Sequence, residues 1–359
     1  MNVSYRKEIN NMHPYVPGKP IEEVQKELGL EKIVKLASNE NPLGCSPLAK
    51  EAIIKELDNI SLYPDGNCGT LKSAVANHLG VREDQLVFGA GSDEILGMLA
   101  QVFLSPGDEV LTSDQSFPRY DSGVHLMGSS LIKVPLTNFT YDLEKMKEYI
   151  SHHTKLIILA NPNNPTGTHF TQTSLLEFLD FVPNDCLVVL DEAYYEYADA
   201  EDYPHSLELL NKYSNLIILR TFSKAYGLAS LRIGYGIADP KAIELLNRVR
   251  NPFNINSLAQ VAAIASLKDQ EFVKESVSLN LQSKTYMYEE FEKLGISFMP
   301  TQANFIMFDA KRPSDVLFQD FLKHGFIIRP AFGVPNWVRV SLGTPEQMKE
   351  FIALLKKIY

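Results

Sequence analysis

The sequence is poor in the features that mark secreted, membrane-bound or nucleic-acid-binding chains. Its 359 residues hold three cysteines, Cys45, Cys68 and Cys186, and none forms a C-x-x-C pair. That count and spacing argue against a disulfide framework or a zinc ribbon, and predict reduced thiols in a cytoplasmic protein with no structural metal. No apolar run approaches the roughly 20 residues a membrane helix needs, and the N-terminal MNVSYRKEINNMHPYVPGKP has no apolar signal-peptide core. Positive charge is in deficit: 34 Lys and Arg face 44 Asp and Glu, for a net charge of −10. This excludes broad binding to a nucleic-acid backbone, though not one small anion held by a few arginines. Repeats and low-complexity tracts are missing. So is the third glycine of a dinucleotide fingerprint, since the glycine turn reads GAGSDE; a nicotinamide-dependent dehydrogenase would need it.

What remains is ordinary globular composition, 45% hydrophobic and 22% charged, with length enough for a large core and a second, smaller one. From Gln85 onward short apolar runs alternate with helical segments: QLVFGAG, DEVLTSD, SSLIKVP, KLIILAN, CLVVLDE, NLIILRT and RIGYGIAD. Several are apolar at every residue, as strands buried on both faces of a mostly parallel sheet would be. The alternation predicts an α/β fold. Beyond Asn251 one long helical stretch, from Ser257 to Gly295, precedes short strands and a final helix, which predicts a smaller α+β unit. The expected organisation is an N-terminal arm over residues 1–30, a large α/β domain over 31–250, and a small C-terminal α+β domain over 251–359.

Three predicted strands run directly into polar residues. KLIILA leads into NPNNPTG, CLVVL into DEAYYEY, and LIILR into TFSKAY. If these strands lie parallel in one sheet, Asn164, Asp191, Tyr194, Ser223 and Lys224 meet at one edge, where such sheets bind ligands. Ahead of them, Gly91 and Ser92 open an amphipathic helix whose first N–H groups form an anion site. Taken singly, each has an ordinary reading. Ser92 caps a helix, Asp191 binds a metal ion, caps a helix or pairs with an arginine, NPNNPTG is a tight turn, and Lys224 is a surface charge. Taken together they match one ligand, pyridoxal 5'-phosphate. A lysine amine condenses with its aldehyde, a carboxylate keeps its ring nitrogen protonated, Asn and Tyr reach its phenolic oxygen, and Ser and Arg232 hold its phosphate. Asp191 and Lys224 are 33 residues apart, room for one strand–helix–strand step between them.

These motifs, with YPDG, GAGSDE, NPFNINSLAQ, ANFIMF and NWVRVSLGT, span nearly the whole chain. The sequence resembles the fold-type-I pyridoxal-phosphate-dependent aminotransferases, and within them the branch acting on histidinol phosphate. The resemblance implies that Lys224 binds the cofactor covalently and moves the substrate proton, that Asp191 pairs with the pyridine nitrogen, and that Asn164 and Tyr194 bond the phenolic oxygen. Phe117 would stack on the ring where many relatives have Tyr. Gly91, Ser92, Ser223 and Arg232 would hold the phosphate. Tyr63 would reach the cofactor phosphate of a neighbouring subunit, making a homodimer part of the active site. Two departures, Ala90 for the usual Asn and Ser230 for a usual Gly, touch the phosphate loop but no side chain assigned to chemistry.

For substrate, two C-terminal arginines stand out. Arg329 ends FIIRP, and Arg339 alternates with Val338 and Val340 in WVRVSLG; on their own they read as a solvated strand face. The resemblance places both in the active site, holding the phosphate of histidinol phosphate in one half-reaction and a carboxylate of glutamate or 2-oxoglutarate in the other. Tyr15 would close over the substrate, or else pin the arm. The expected activity is transamination of L-histidinol phosphate with 2-oxoglutarate, within histidine biosynthesis. An aromatic aminotransferase and a threonine-phosphate decarboxylase are alternatives on the same scaffold. A ligand sensor fused to a DNA-binding module is a third alternative, opposed by the negative charge and by the want of a basic helix-turn-helix segment.

Overall fold

A computed structural model describes residues 3–12, 14 and 18–359 of the chain, excepting the side chain of Asn11. After a short strand β1 (Val34–Lys35), seven strands follow: β2 (Leu86–Gly89), β3 (Glu109–Ser113), β4 (Ser130–Val134), β5 (Thr154–Ala160), β6 (Leu187–Asp191), β7 (Leu216–Thr221) and β8 (Gly234–Ala238). They form one sheet in the order β2-β8-β7-β6-β5-β3-β4. The pairs β7–β6, β6–β5, β5–β3 and β3–β4 are parallel, whereas β8 runs antiparallel to both β7 and β2. The seven apolar runs are these seven strands, and the fold is the α/β, mostly parallel arrangement expected of fold-type-I enzymes. β6 and β7 are buried at every residue, which is why their sequences do not alternate.

Helices cover the sheet. Ser92–Phe103 buries Ile95 and Leu99 completely, four residues apart on one face. Thr171 and Asp239 start helices Gln172–Phe181 and Pro240–Val249 by accepting backbone N–H groups, as N-caps do. The predicted long helix is two, Ser257–Lys268 and Gln270–Lys293. Asp269 breaks it: its backbone leaves helical geometry and its Oδ1 accepts the Phe272 N–H at 3.3 Å, capping the second segment.

The second sheet comprises β9 (Phe298–Met299), β10 (Phe305–Asp309), β12 (Arg329–Pro330) and β13 (Trp337–Ser341), while β11 (Phe326–Ile327) pairs with β1 in parallel. Two large hydrophobic cores and two small clusters result, and the large cores do not divide the chain at one point. Val34 and Leu36 pack with the C-terminal core, whereas Ile255, Ala259 and Val273 pack with the core of the large sheet. No helix among the described residues is long and apolar enough to cross a membrane.

Two contacts fix the loop after β7. Arg220 and Glu192 form an ion pair at 2.9 Å with both side chains buried, and the guanidinium stacks 3.6 Å from the Tyr195 ring centroid. Gly227, at φ +70, packs so closely on Gly44 and Cys45 that a Cβ would overlap the Gly44 carbonyl oxygen. Gly227→Ala is therefore expected to lose about 3 kcal/mol of stability or more, combining a left-handed φ with a backbone clash. Urea denaturation checks this, and an unchanged midpoint would refute the contact.

Candidate active site

Three parallel strands deliver polar residues to one edge of the sheet. Because β5, β6 and β7 are neighbours with the same direction, the residues beyond their carboxyl ends face the same side. They line a cleft of about 220 Å³ whose wall includes Asn164, Asp191, Tyr194, Ser223 and Lys224. The same wall carries Gly91, Ser92, Phe117 and Arg232, and from the second sheet Arg329 and Arg339.

Lys224 is held at the floor of this cleft, its Nζ donating to the Ser38 carbonyl oxygen at 3.1 Å. Burial first, then the nearby Arg339 cation, pushes its amine down to about 8. About a tenth of such an amine is neutral at pH 7, far more than of an ordinary lysine. This is the nucleophilic, titratable lysine that carbonyl chemistry needs.

Asp191 is buried at 6% exposure. Its Oδ2 accepts from Tyr120 Oη at 2.8 Å, and its Oδ1 is buried without a hydrogen-bond partner. Burial pushes its carboxyl up to about 6, against the opposing Tyr120 bond. Tyr120 is itself pushed well above its ordinary value by burial and by Asp191, so it stays a donor. A buried carboxylate oxygen left unpaired is costly, and a ligand N–H would satisfy it.

The opposite corner suits an anion. Ser92 is the first residue of its helix, and no side chain caps that helix, so its leading N–H groups point outward. Gly91 sits at φ +77, where a Cβ would lie 2.5 Å from Arg232 Nη2. Arg232 is aimed by bonds from Nη1 to the Ala229 carbonyl at 3.2 Å and to Ser223 Oγ at 3.4 Å. Guanidinium, hydroxyl and helix terminus thus converge where only glycine leaves room. An amine, an unpaired carboxylate oxygen and an anion corner fit the aldehyde, ring nitrogen and phosphate of pyridoxal phosphate.

Arg339 is not on a solvated face. It is 4% exposed, with Nη1 donating to Asn164 Oδ1 at 2.6 Å and Nη2 to the Ala37 carbonyl at 2.5 Å. Val338 and Val340 point the other way, into the C-terminal core. Arg329 is half-buried, its guanidinium 4.8 Å from the Phe332 ring centroid.

The family model for aminotransferase class I and II matches residues 31–355. The chain belongs to the class I and II aminotransferases. It is 51% identical over 356 residues to the histidinol-phosphate aminotransferase of Moorella thermoacetica, covering 98% of this chain and 92% of that one. It is 46% identical to that of Bacillus subtilis strain 168, covering 98% and 99%. Among solved structures it is similar to histidinol-phosphate aminotransferase from Sinorhizobium meliloti in complex with pyridoxal-5'-phosphate. The TM-score there is 0.90 at 28% identity, over 99% of this chain and 98% of the other.

One expected residue, Tyr15, lies outside the described residues, and another does not line the cleft of this aminotransferase. Tyr63 is 83% exposed and stacks on Phe253 with ring centroids 4.7 Å apart, away from its own chain's cleft. The cleft lining also includes residues not assigned to the site from the sequence, among them Asn39, Tyr120 and Phe332. Tyr120 lay within QSFPRY, three positions beyond Phe117, and one turn of backbone brings it under Asp191. Asn39 lies within LASNENPLG, a stretch that shares the family resemblance but suggested no role for this residue, and nothing in the sequence around Phe332 marked it.

Proposed function

We propose that this aminotransferase transfers the amino group of L-histidinol phosphate to 2-oxoglutarate, giving imidazole-acetol phosphate and L-glutamate in histidine biosynthesis. The observation that carries the reading is that Arg329 and Arg339 share one cleft with Lys224, in a chain 46–51% identical to enzymes named for that activity. The relative solved with pyridoxal phosphate, and the fit of the cleft to that group, support the same cofactor here.

Bound pyridoxal phosphate supplies an aldehyde that joins to amines and a protonated ring that accepts the electron pair released when the donor Cα–H bond breaks. The chain's own residues do the rest. Asp191 Oδ1 would accept the ring N–H and keep the proton there. Gly91, Ser92, Ser223 and Arg232 would hold the phosphate, with Tyr63 of a second subunit completing that corner. Phe117 would pack against the ring, and Asn164 and Tyr194 would donate to the phenolic oxygen. Lys224 Nζ would remove the substrate Cα proton as a general base and return it as a general acid. Arg339 and Arg329 bind the anionic groups that differ between the two half-reactions, a phosphate and a carboxylate, for which forked guanidinium donors are suited. Tyr15, by resemblance, would close over the substrate.

The shared corner implies a homodimer. Ile54, Leu57, Ile60, Leu62 and Tyr63, close together in sequence, are all exposed apolar side chains, the residue types that a protein interface covers. Free thiols at Cys45, Cys68 and Cys186 fit a cytoplasmic enzyme.

Histidinol phosphate alone should convert the visible band of the cofactor-loaded protein to a near-ultraviolet one, and 2-oxoglutarate should restore it. Failure to take up pyridoxal phosphate would sink the cofactor, and release of CO₂ would replace transamination by decarboxylation. Faster turnover of a non-phosphorylated aromatic amine would replace the substrate. Mixing inactive Lys224→Ala and Tyr63→Ala subunits should restore activity, because a hybrid dimer has one intact site; no recovery would overturn the shared corner.

A further inference from the structure

Asn39 lies in the loop after β1, 1% exposed, with its backbone at φ +55. That left-handed conformation is uncommon outside glycine and is one asparagine tolerates. Every polar group of the residue is engaged. Its N–H donates to Ser341 Oγ at 2.9 Å, its carbonyl accepts from Asn304 Nδ2 at 3.0 Å, its Oδ1 accepts from Ser341 Oγ at 2.9 Å, and its Nδ2 donates to Tyr194 Oη at 2.9 Å. Ser341 Oγ already accepts the Asn39 N–H, so its own proton serves Oδ1, and this fixes which end of the amide faces Tyr194.

We infer that Asn39 is a positioning residue that sets the hydrogen-bond polarity of Tyr194: by donating to the Tyr194 oxygen it turns the tyrosine proton toward the phenolic oxygen of the cofactor. The inference rests on the cofactor reading above. A phenol that accepts one hydrogen bond is a stronger donor in the next. A donor on the phenolic oxygen stabilises negative charge there, so the bound cofactor loses its proton at a lower pH. Only asparagine meets the whole demand. Glycine would accept the backbone angle but offers no side chain. Aspartate offers two acceptors and would draw the Tyr194 proton to itself.

The same short segment also holds the substrate side. Ala37, two residues earlier, accepts Arg339 Nη2, and Ser341 lies two residues beyond Arg339 on β13. Asn39 thereby registers the strand carrying Arg339 against Tyr194, which belongs to the other hydrophobic core.

The test is the pH midpoint of the visible band in cofactor-loaded wild type, N39D, N39G and Y194F, and in Y194F carrying each Asn39 change. N39D is expected to raise the midpoint by about one unit more in the wild-type background than in Y194F, because the shift left in Y194F is that of the added charge alone. N39G should give a smaller rise that disappears in Y194F. Equal shifts in the two backgrounds would overturn the inference while leaving the cofactor reading intact. A wild type without a visible band would overturn both. Should N39D not fold, N39G makes the same comparison, since glycine adopts the required angle without strain.

Discussion

Lys224→Ala is expected to lower the rate of transamination by about 10⁴-fold or more while leaving the fold intact. The expectation follows from where the amine sits. It is at the meeting point of three strand ends, its pKa brought down to about 8 by burial and by Arg339, and no other lysine among the described residues lines the cleft wall. The variant should still take up pyridoxal phosphate through Arg232, Ser223 and Asp191. Borohydride, however, should no longer fix the cofactor to the protein, and turnover at the wild-type rate would refute the assignment. A stability measurement separates this role from a packing role. The folded amine titrates near 8 and the unfolded one near 10.5. Below about pH 8 both states carry the proton, and the folded state bears the full cost of a buried cation. Between 8 and 10.5 the unfolded chain binds more protons, so wild-type stability rises with pH through that window. Lys224→Met, which keeps the stem, should therefore stabilise the cofactor-free protein at pH 7 by about 1–2 kcal/mol. That advantage should disappear above pH 10.5. A lysine kept for structure would show the opposite sign.

The residues legible in the sequence are those whose positions follow from local order. Asp191 and Lys224 each end or follow an apolar run, and two parallel strands leave their carboxyl ends on the same side whatever the rest of the fold does. Gly91 and Ser92 were readable for a similar reason, as a glycine turn opening an amphipathic helix. Arg339 was readable as a polar residue between Val338 and Val340, but burial of its guanidinium was not. Its partners Ala37 and Asn164 come from other parts of the chain, and periodicity carries no information about which loops converge. Asn39 is the extreme case, with hydrogen-bond partners at Tyr194, Asn304 and Ser341. The break at Asp269 was hidden because aspartate inside a helical pattern does not by itself decide between a solvated face and a cap. The Arg220–Glu192 pair was hidden because each residue sits beside a more conspicuous one. Tyr63 illustrates a different limit: its role by resemblance belongs to a second copy of the chain, and a single copy shows only that its ring is exposed.

Asp191→Asn is the second change expected to be severe, lowering turnover by about 10³-fold while making the cofactor-free protein more stable. Both effects have one cause. Asp191 Oδ1 is buried with no partner, and burial holds the carboxyl at about 6 against an ordinary 3.8. A raised carboxyl pKa means that the ionised form destabilises the folded chain at every pH above 6. The penalty is relieved as pH falls from 6 toward 3.8, where the unfolded chain also takes up its proton. The amide removes that penalty at neutral pH. It also removes the charge that would keep a ring proton in place, so electrons released at the substrate carbon would no longer be drawn into the ring. Two measurements check this. Cofactor affinity of the wild type should fall as pH drops through about 6, whereas that of Asp191→Asn should be weak and nearly independent of pH. Thermal unfolding of the cofactor-free proteins at pH 7 should favour the variant. A variant less stable than wild type, with an unchanged pH profile for cofactor binding, would make Asp191 a structural anchor for Tyr120 instead. A gain in stability coupled to a loss of turnover is what an unpaired buried carboxylate poised for a ligand must give, because the free energy that ionised Asp191 costs the folded chain is recovered only when a ring N–H meets Oδ1.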